Sequence, residues 1–144
     1  MIVSHSHLAR FPRPLSPQVF APYLDDPFNF FVISSDFCHW GARFRFQPYD
    51  ASLGEVHEYV AWLDRRAMDC IEGGEPADFA RYLSETRNTI CGRHPIALLL
   101  EACKHTRTQL QIHFEKYAQS TRVTSTYGSS VSYASAAAAV VVRP

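Results

Sequence analysis

The sequence predicts an α/β domain in which amphipathic helices pack on a small sheet. Apolar residues recur every three or four positions from Gly54 to Ile71, which is the period of a helix that buries one face. Leu110, Ile112 and Phe114 alternate with polar residues, which is the period of a half-buried strand. The chain has 144 residues, 47% of them apolar, and this is enough to build one core.

The first quarter of the chain predicts little regular structure. Residues 1–15 show no sustained period and are expected to be a loose tail. Ser16 can cap a helix and Pro17 fits a first helical turn, so together they predict a short helix that ends near Leu24. An apolar stretch then predicts a strand near residues 29–34.

Three further helices follow in the sequence. The longest is predicted from Gly54 to Ile71, the second from Pro76 to Thr86, and the third opens at Pro95. Their inward-facing residues are expected to be Val56, Val60, Leu63, Ala67, Ile71, Phe79, Tyr82, Leu83, Ile96, Leu99, Leu100 and Cys103.

Two strands are predicted at the carboxyl end of the chain. The first covers residues 109–115, a loop rich in Ser, Thr and Gly covers 120–130, and the last strand runs from Val131 to Val142. Three strands make a small sheet for this number of helices, which suggests that the chain is part of a larger domain.

Composition and charge exclude several classes of function. Fourteen basic residues balance fourteen acidic ones, so no net field attracts nucleic acid or an anionic membrane. The longest apolar run, residues 136–142, is too short to span a bilayer, and the amino terminus lacks the apolar region of a secretory signal, so a cytoplasmic protein is expected. Its four cysteines are then expected to be free thiols, and the absence of a C-x-x-C pair disfavours a structural zinc site.

The segment SSDFCHW, residues 34–40, follows the first predicted strand and is expected to be a site loop. Asp36 and His39 could act as an acid and base pair, or as a carboxylate that orients a metal-bound imidazole. Cys38 is expected to point away from His39, since successive side chains of extended backbone face opposite sides. The alternative is structural: Asp36 caps a turn, Cys38 lies in the core and His39 packs on Trp40.

A second reactive segment is NTICGRHP, residues 88–95. Gly92 permits an unusual backbone angle, and Cys91 and His94 are expected to lie just before the helix that Pro95 opens. The partial positive charge there favours a thiolate, which is both a metal ligand and a redox-sensitive group. The alternative is a buried cysteine beside a histidine that caps the helix.

Five motifs in order resemble the carboxyl-terminal half of the Memo family, named as mediators of receptor tyrosine kinase driven cell motility. They are SSDFCHWGARF, LDRRAMDCIE, NTICGRHPI, KYAQS and SSVSYAS, within a match from Phe20 to Ala136. The family is similar in fold to class III extradiol dioxygenases, a non-haem iron fold. The resemblance therefore implies that residues 16–144 form a partial α/β domain of this fold that lacks its amino-terminal half.

The resemblance also implies a metal site. The family is credited with binding reduced copper or iron, with redox activity and with docking phosphotyrosine segments of a receptor. Its cysteine metal ligand falls on Cys91, and the aspartate and histidine of its catalytic pocket fall on Asp36 and His39. Two further histidine ligands of the family belong to the amino-terminal half; His5 and His7 are not in the family's context and are not assigned as substitutes.

Three functional hypotheses follow from the sequence. The first is a metal-dependent redox protein in which Asp36, His39 and Cys91 converge on one cleft. The second is a signalling adaptor that accepts a phosphotyrosine segment, with Arg43 and Arg45 as phosphate contacts because a guanidinium group can form two parallel hydrogen bonds. The third is a truncated product with neither activity.

Overall fold

A computed structural model of the chain describes residues 2–3 and 16–141. The predicted tail, with His5 and His7, lies outside the described residues except for Ile2 and Val3. The strands are β1 Ile2–Val3, β2 Val32–Ile33, β3 His39–Trp40, β4 Gln109–Gln119 and β5 Ser130–Val141. The α-helices are α1 Ala21–Leu24, α2 Val56–Glu72, α3 Pro76–Thr86 and α4 Arg93–Cys103, with short 3-10 helices at Pro17–Val19, Ala42–Phe44 and Ala51–Leu53.

The structure is a mixture of helices and strands, as an α/β domain requires, but the strands form two sheets. The larger sheet is antiparallel, with β5 between β3 and β4. The smaller one is a parallel pair of β1 and β2. The sequence prediction of three strands missed β1, which lies in the predicted loose tail, and β3, because a two-residue strand has no period of its own. Among the described residues, no helix is long and apolar enough to cross a membrane.

Helix α2 confirms the strongest sequence prediction, a helix between Gly54 and Ile71. It begins at Val56, where the Glu58 carboxylate accepts a hydrogen bond from the backbone N–H of Glu55 at 2.7 Å. The residues that it buries are Val56, Val60, Leu63, Asp64, Ala67, Met68 and Ile71. This face packs against α3 and β4, so the periodicity of the sequence identified the centre of the core.

Helix α3 has the predicted bounds, whereas α4 begins two residues before Pro95. His94 therefore lies inside the first turn of α4 rather than before it. Pro95 occupies a position near the start of the helix, where a backbone N–H has no partner within the helix and its loss costs little. Ile96 and Leu100 are buried as expected, and Leu99 is half-buried.

The residues of strand β4 that face inward change from even to odd positions half-way along the strand. Ile112 and Phe114 face the core on even positions, as the sequence predicted. The pairing with β5 then shifts between Phe114 and Lys116, which is a β-bulge. Beyond the bulge the odd positions Tyr117 and Gln119 turn inward. One unpaired residue therefore directs Tyr117 toward the interior.

The amino-terminal helix predicted from Ser16 is broken into a 3-10 turn and the single turn of α1. Ser16 does not cap the backbone of the turn. Asp25, directly after α1, accepts hydrogen bonds from the backbone N–H groups of Arg107 and Thr108 at 3.0 Å. This carboxylate joins the helix to the beginning of β4.

The ionisation of Asp25 is expected to make the free energy of unfolding depend on pH. The backbone N–H donors of Arg107 and Thr108 lower the pKa of Asp25 from 3.8 to about 2. Because the folded pKa lies below the unfolded one, this stabilisation is complete above pH 3.8 and is lost as the pH falls toward about 2. Urea unfolding from pH 6 to pH 2 should therefore show a loss of stability below about pH 4 that is smaller in Asp25→Asn. An equal loss in both proteins would contradict the assignment.

Candidate functional site

The segment that was predicted to be a site loop ends in a strand. Residues 34–38 have no regular structure, but His39 and Trp40 form β3 and pair with Val131 and Ser130 of β5. Trp40 is completely buried and its indole N–H donates to the carbonyl oxygen of Pro48 at 2.8 Å. Burial of this large ring and pairing with β5 hold the backbone of His39 in the sheet.

The structure brings Asp36, His39 and Cys91 together. One possible ligand atom from each side chain lies within 4.8 Å of those of the other two. Asp36 and His39 are half-buried and Cys91 is exposed. Among the residues that the structure describes, 2–3 and 16–141, these three side chains form the group that could hold a metal ion. The expected convergence of the two segments is thus present, although the roles of the three residues remain predictions.

Backbone contacts hold the two segments side by side. The N–H of Asp36 donates to Sγ of Cys91 at 3.1 Å, and the N–H of Cys91 donates to the carbonyl oxygen of Asp36 at 3.3 Å. One residue further on, the N–H of Gly92 donates to Oγ of Ser35 at 2.9 Å. The sulfur of Cys91 therefore has a fixed position relative to Asp36.

Gly92 is required for closeness rather than for an unusual backbone angle. Its φ of −89° and ψ of 16° are open to other residues, so the unusual backbone angle that a glycine permits is not used here. A Cβ atom at this position would lie 2.3 Å from Cβ of Ser35 and 2.8 Å from the carbonyl oxygen of Ser34. The two site segments can approach this closely only because residue 92 has no side chain.

Thr89 positions His39 through its side chain and its backbone. Its hydroxyl accepts from the N–H of His39 at 2.8 Å and lies 3.0 Å from the carbonyl oxygen of His39, to which it donates. Nδ1 of the imidazole lies 3.0 Å from the carbonyl oxygen of Phe37 and 3.1 Å from that of Thr89. Two carbonyl acceptors require a proton on Nδ1, which leaves the lone pair of the neutral ring on Nε2.

An open cleft of about 350 Å³ lies beside this group, lined by His39, Phe44, Thr89, Cys91 and Arg93. The ring of Phe44 meets the imidazole of His39 edge to face at 5.2 Å, so His39 packs on Phe44 and not on Trp40 as the structural alternative proposed. Asp36 belongs to the ligand group but does not line the cleft.

The arginine that faces the cleft is not one that the sequence suggested. Arg43 and Arg45 are exposed and neither lines the cleft. The guanidinium of Arg43 instead lies 4.4 Å from the centre of the Phe44 ring. Arg93, at the start of α4, supplies the positive charge of the cleft wall.

The other three cysteines have environments that suppress ionisation. Cys38 is fully buried and, as predicted, belongs to the core. Burial, with the nearby carboxylate of Asp64, raises the pKa of the Cys38 thiol far above its usual range. Burial also raises the pKa of Cys103 to about 11 and raises that of Cys70. Cys91 differs from them in being exposed at the cleft.

A buried carboxylate lies under the site. Asp64 of α2 is completely buried, and its Oδ1 accepts hydrogen bonds from the N–H of Cys38 at 3.2 Å and from Nδ2 of Asn88 at 3.0 Å. Its Oδ2 accepts from the hydroxyl of Tyr117 at 2.9 Å. Burial raises the pKa of Asp64, and hydrogen bonds from Ser132, Asn88, Tyr117 and Cys38 oppose that rise.

Sequence reasoning missed four residues of this region: Phe44, Asp64, Thr89 and Arg93. A signal did exist for Asp64, because an acidic residue beside Leu63 interrupts the buried stripe of α2 and therefore requires hydrogen-bond partners. Thr89 and Arg93 lie inside the NTICGRHP motif, but nothing in their spacing indicates which side chains enter the cleft.

Comparison with known proteins identifies related chains. The family model described as Memo-like protein matches residues 15–137. The chain is 48% identical over 126 residues to Protein MEMO1 of Xenopus laevis and 46% identical over 126 residues to Protein MEMO1 of Homo sapiens. Each of these two matches covers 85% of this chain. It is 49% identical over 122 residues, or 81% of this chain, to Protein memo-1 homolog of Caenorhabditis elegans. The matches span only 42%, 42% and 35% of these three relatives.

Proposed function

The chain belongs to the Memo-like protein family, and on this basis we propose that its cleft is a metal-binding site of redox type. Cys91 is the principal metal ligand, and His39 with Asp36 completes the ligand group. The observation that carries the proposal is the convergence of a sulfur, a nitrogen and an oxygen donor within 4.8 Å. The similarity to the fold of non-haem iron dioxygenases and a link to cell motility signalling are part of the same proposal.

The three side chains fit reduced copper or iron. A thiolate is a soft ligand that favours reduced copper, and imidazole suits both copper and iron. Metal–ligand bonds of about 2.0–2.3 Å place donor atoms roughly 3.5–4 Å apart, so small side-chain rotations suffice to close a group whose atoms lie within 4.8 Å. His39 offers Nε2 to the metal because Nδ1 is engaged by the carbonyl oxygens of Phe37 and Thr89.

The protein's own contribution is to hold these donors in place. The bound metal would supply one-electron redox chemistry or polarise an oxygen ligand. Cys91 is held by hydrogen bonds to the backbone of Asp36, through its sulfur and its own N–H, and His39 is held by β3 and Thr89. The family's two remaining histidine ligands belong to the part of the relatives that this chain does not match, so we expect weaker binding than in a longer relative.

Titration of the purified protein with copper(I) tests the proposal. Under reducing conditions and against a chromophoric chelator, we expect one equivalent of copper to be withdrawn from the chelator. The same titration with iron(II) under anaerobic conditions identifies the preferred metal. A protein that leaves both ions with the chelator would contradict the proposal.

A second candidate function is a phosphotyrosine-binding adaptor, which the position of Arg93 favours. A phosphate group in the cleft would meet a guanidinium group from Arg93, and the phenyl ring could lie against Phe44. A fluorescent phosphotyrosine peptide should then bind, and its affinity should fall after dephosphorylation and in Arg93→Gln. Arg45→Gln is the matched control, since Arg45 is exposed outside the cleft. Absence of phosphate-dependent binding would contradict the adaptor function. If the protein also binds no metal, the hypothesis of a truncated product with neither activity remains.

A further inference from the structure

We infer that Asp64 is a positioning residue for the cleft, because its carboxylate joins the segment that carries His39 to the segment that carries Cys91. The inference deepens the proposed metal site and rests on it for its functional meaning. Asp64 does not line the cleft and does not belong to the ligand group. It acts through the backbone and side chains that it binds.

The burial of this carboxyl group costs free energy, which would have no benefit if α2 served only to pack on the core. Asp64 is 0% exposed and lies on the same buried face of α2 as Leu63 and Ala67. A buried carboxyl group loses its hydration, and an apolar residue of similar volume would often stabilise such a position as well or better. Its presence therefore suggests a requirement for its hydrogen bonds.

The partners of Oδ1 connect the two site segments. One donor is the N–H of Cys38, the residue directly before His39, and the other is Nδ2 of Asn88, the residue directly before Thr89. A single oxygen atom thus accepts one hydrogen bond from each segment. Movement of that atom would change the separation of the two segments.

The side chain of Asn88 is oriented by Asp64. Its Nδ2 donates to Asp64 and also to the hydroxyl oxygen of Tyr82 at 2.7 Å. Its own Oδ1 is buried and has no hydrogen-bond partner among the described residues. Reversing the amide would place that oxygen against the Asp64 carboxylate, and the like partial charges would repel. Asn88 therefore keeps its orientation although one polar atom remains unsatisfied.

The imidazole of His39 should report on this arrangement. Nδ1 is bracketed by one carbonyl oxygen from each segment, that of Phe37 and that of Thr89. If the segments separate, Nδ1 loses an acceptor and the preference for a proton on Nδ1 weakens. The direction in which Nε2 points then becomes less defined, and with it the metal site.

Four variants test the inference through metal affinity. Asp64→Leu removes both acceptor oxygens, and Asn88→Ala removes the donor of the second segment. Both should weaken copper(I) binding by about 10–100-fold and should change the absorption spectrum of bound cobalt(II). Asp64→Asn keeps an oxygen that both donors can reach and should restore binding. Tyr117→Phe removes the donor that β4 gives to Oδ2, together with the contacts of that hydroxyl to Ser132 and Gln119, but leaves both hydrogen bonds of Oδ1 intact and should bind like the wild type.

Each measurement is made on protein whose folding is verified by circular dichroism, and Asn88→Ala carries the test if Asp64→Leu does not fold. Folded Asp64→Leu or Asn88→Ala with wild-type affinity and spectrum would overturn the inference. Loss of affinity in Tyr117→Phe equal to that in Asn88→Ala would overturn it as well, because a general loss of core stability would then explain both.

A readout without metal separates this inference from the proposed function. Long-range ¹H–¹⁵N NMR of the histidine rings should show His39 of the wild type protonated on Nδ1 and a mixture of tautomers in Asn88→Ala. If the wild type binds no metal but this change occurs, the proposed function fails while the positioning role stands. An unchanged tautomer in Asn88→Ala and Asp64→Leu would overturn the positioning role, whatever the metal titration shows.

Discussion

Replacement of Cys91 by serine is expected to abolish the binding of copper(I), whereas Cys38→Ser should leave it largely intact. Reduced copper prefers a soft thiolate, and a serine hydroxyl is a hard and neutral donor that cannot replace it. Cys91 is the exposed thiol at the cleft. Cys38 is fully buried, and burial raises the pKa of its thiol, so it remains protonated in the core.

The measurement is a titration of the three purified proteins with copper(I) and a competing chelator under reducing conditions. Circular dichroism should first establish that both variants are folded, since Cys38→Ser places a hydroxyl in an apolar site. Equal loss of binding in both variants would contradict the geometry of the site. Unchanged binding in Cys91→Ser would exclude Cys91 as the principal ligand.

Leu63→Ala is expected to lower the free energy of unfolding by roughly 2–5 kcal/mol. Leu63 is 1% exposed at the centre of α2 and belongs to the cluster that α2 forms with α3 and β4. Its removal leaves a cavity that helices held on two sides cannot fill. The backbone carbonyl of Leu63, which accepts from the hydroxyl of Tyr82 at 2.9 Å, is retained in the variant, so the loss measures packing.

Urea unfolding monitored by circular dichroism gives the free energies. Asp69→Ala is the matched control, because Asp69 lies on the exposed side of the same helix and its replacement should change stability by no more than about 0.5 kcal/mol. A Leu63→Ala protein as stable as the control would show that the buried face of α2 does not hold the core together.

The helices could be predicted from the sequence because their signals are local. The bounds of α2 and α3 agree with the predictions to within two residues, since three or four consecutive turns repeat the same apolar spacing. The first half of β4 could likewise be predicted, from its alternation of apolar and polar residues. Strand β3 was not, because it exists only through its pairing with β5, and that pairing joins His39 to Val131.

The candidate site could be predicted in its members but not in its supporting contacts. The resemblance implied that Asp36, His39 and Cys91 converge on one cleft, and the structure brings the three side chains together, although Asp36 does not line the cleft. The hydrogen bonds between Thr89 and His39 join residues 50 positions apart, and no spacing rule indicates them. The position of Asp64 within the apolar stripe of α2 indicates its burial, but its hydrogen bonds to Cys38 and Asn88 depend on tertiary packing that the sequence does not display.

The bulge in β4 allows two inward-facing residues, Phe114 and Tyr117, to lie an odd number of positions apart. A strand of the same length without the bulge would alternate regularly, so that Tyr117 would turn outward and Lys116 would turn inward. The Tyr117 hydroxyl would then leave the Asp64 carboxylate. Deletion of Glu115 would instead remove the bulge and leave a regular strand in which Tyr117 still faces inward, so homologous chains should either keep the bulge or lack one residue between Phe114 and Tyr117. For alignment of distant relatives, a single-residue gap between Phe114 and Tyr117 would therefore mark a strand without the bulge.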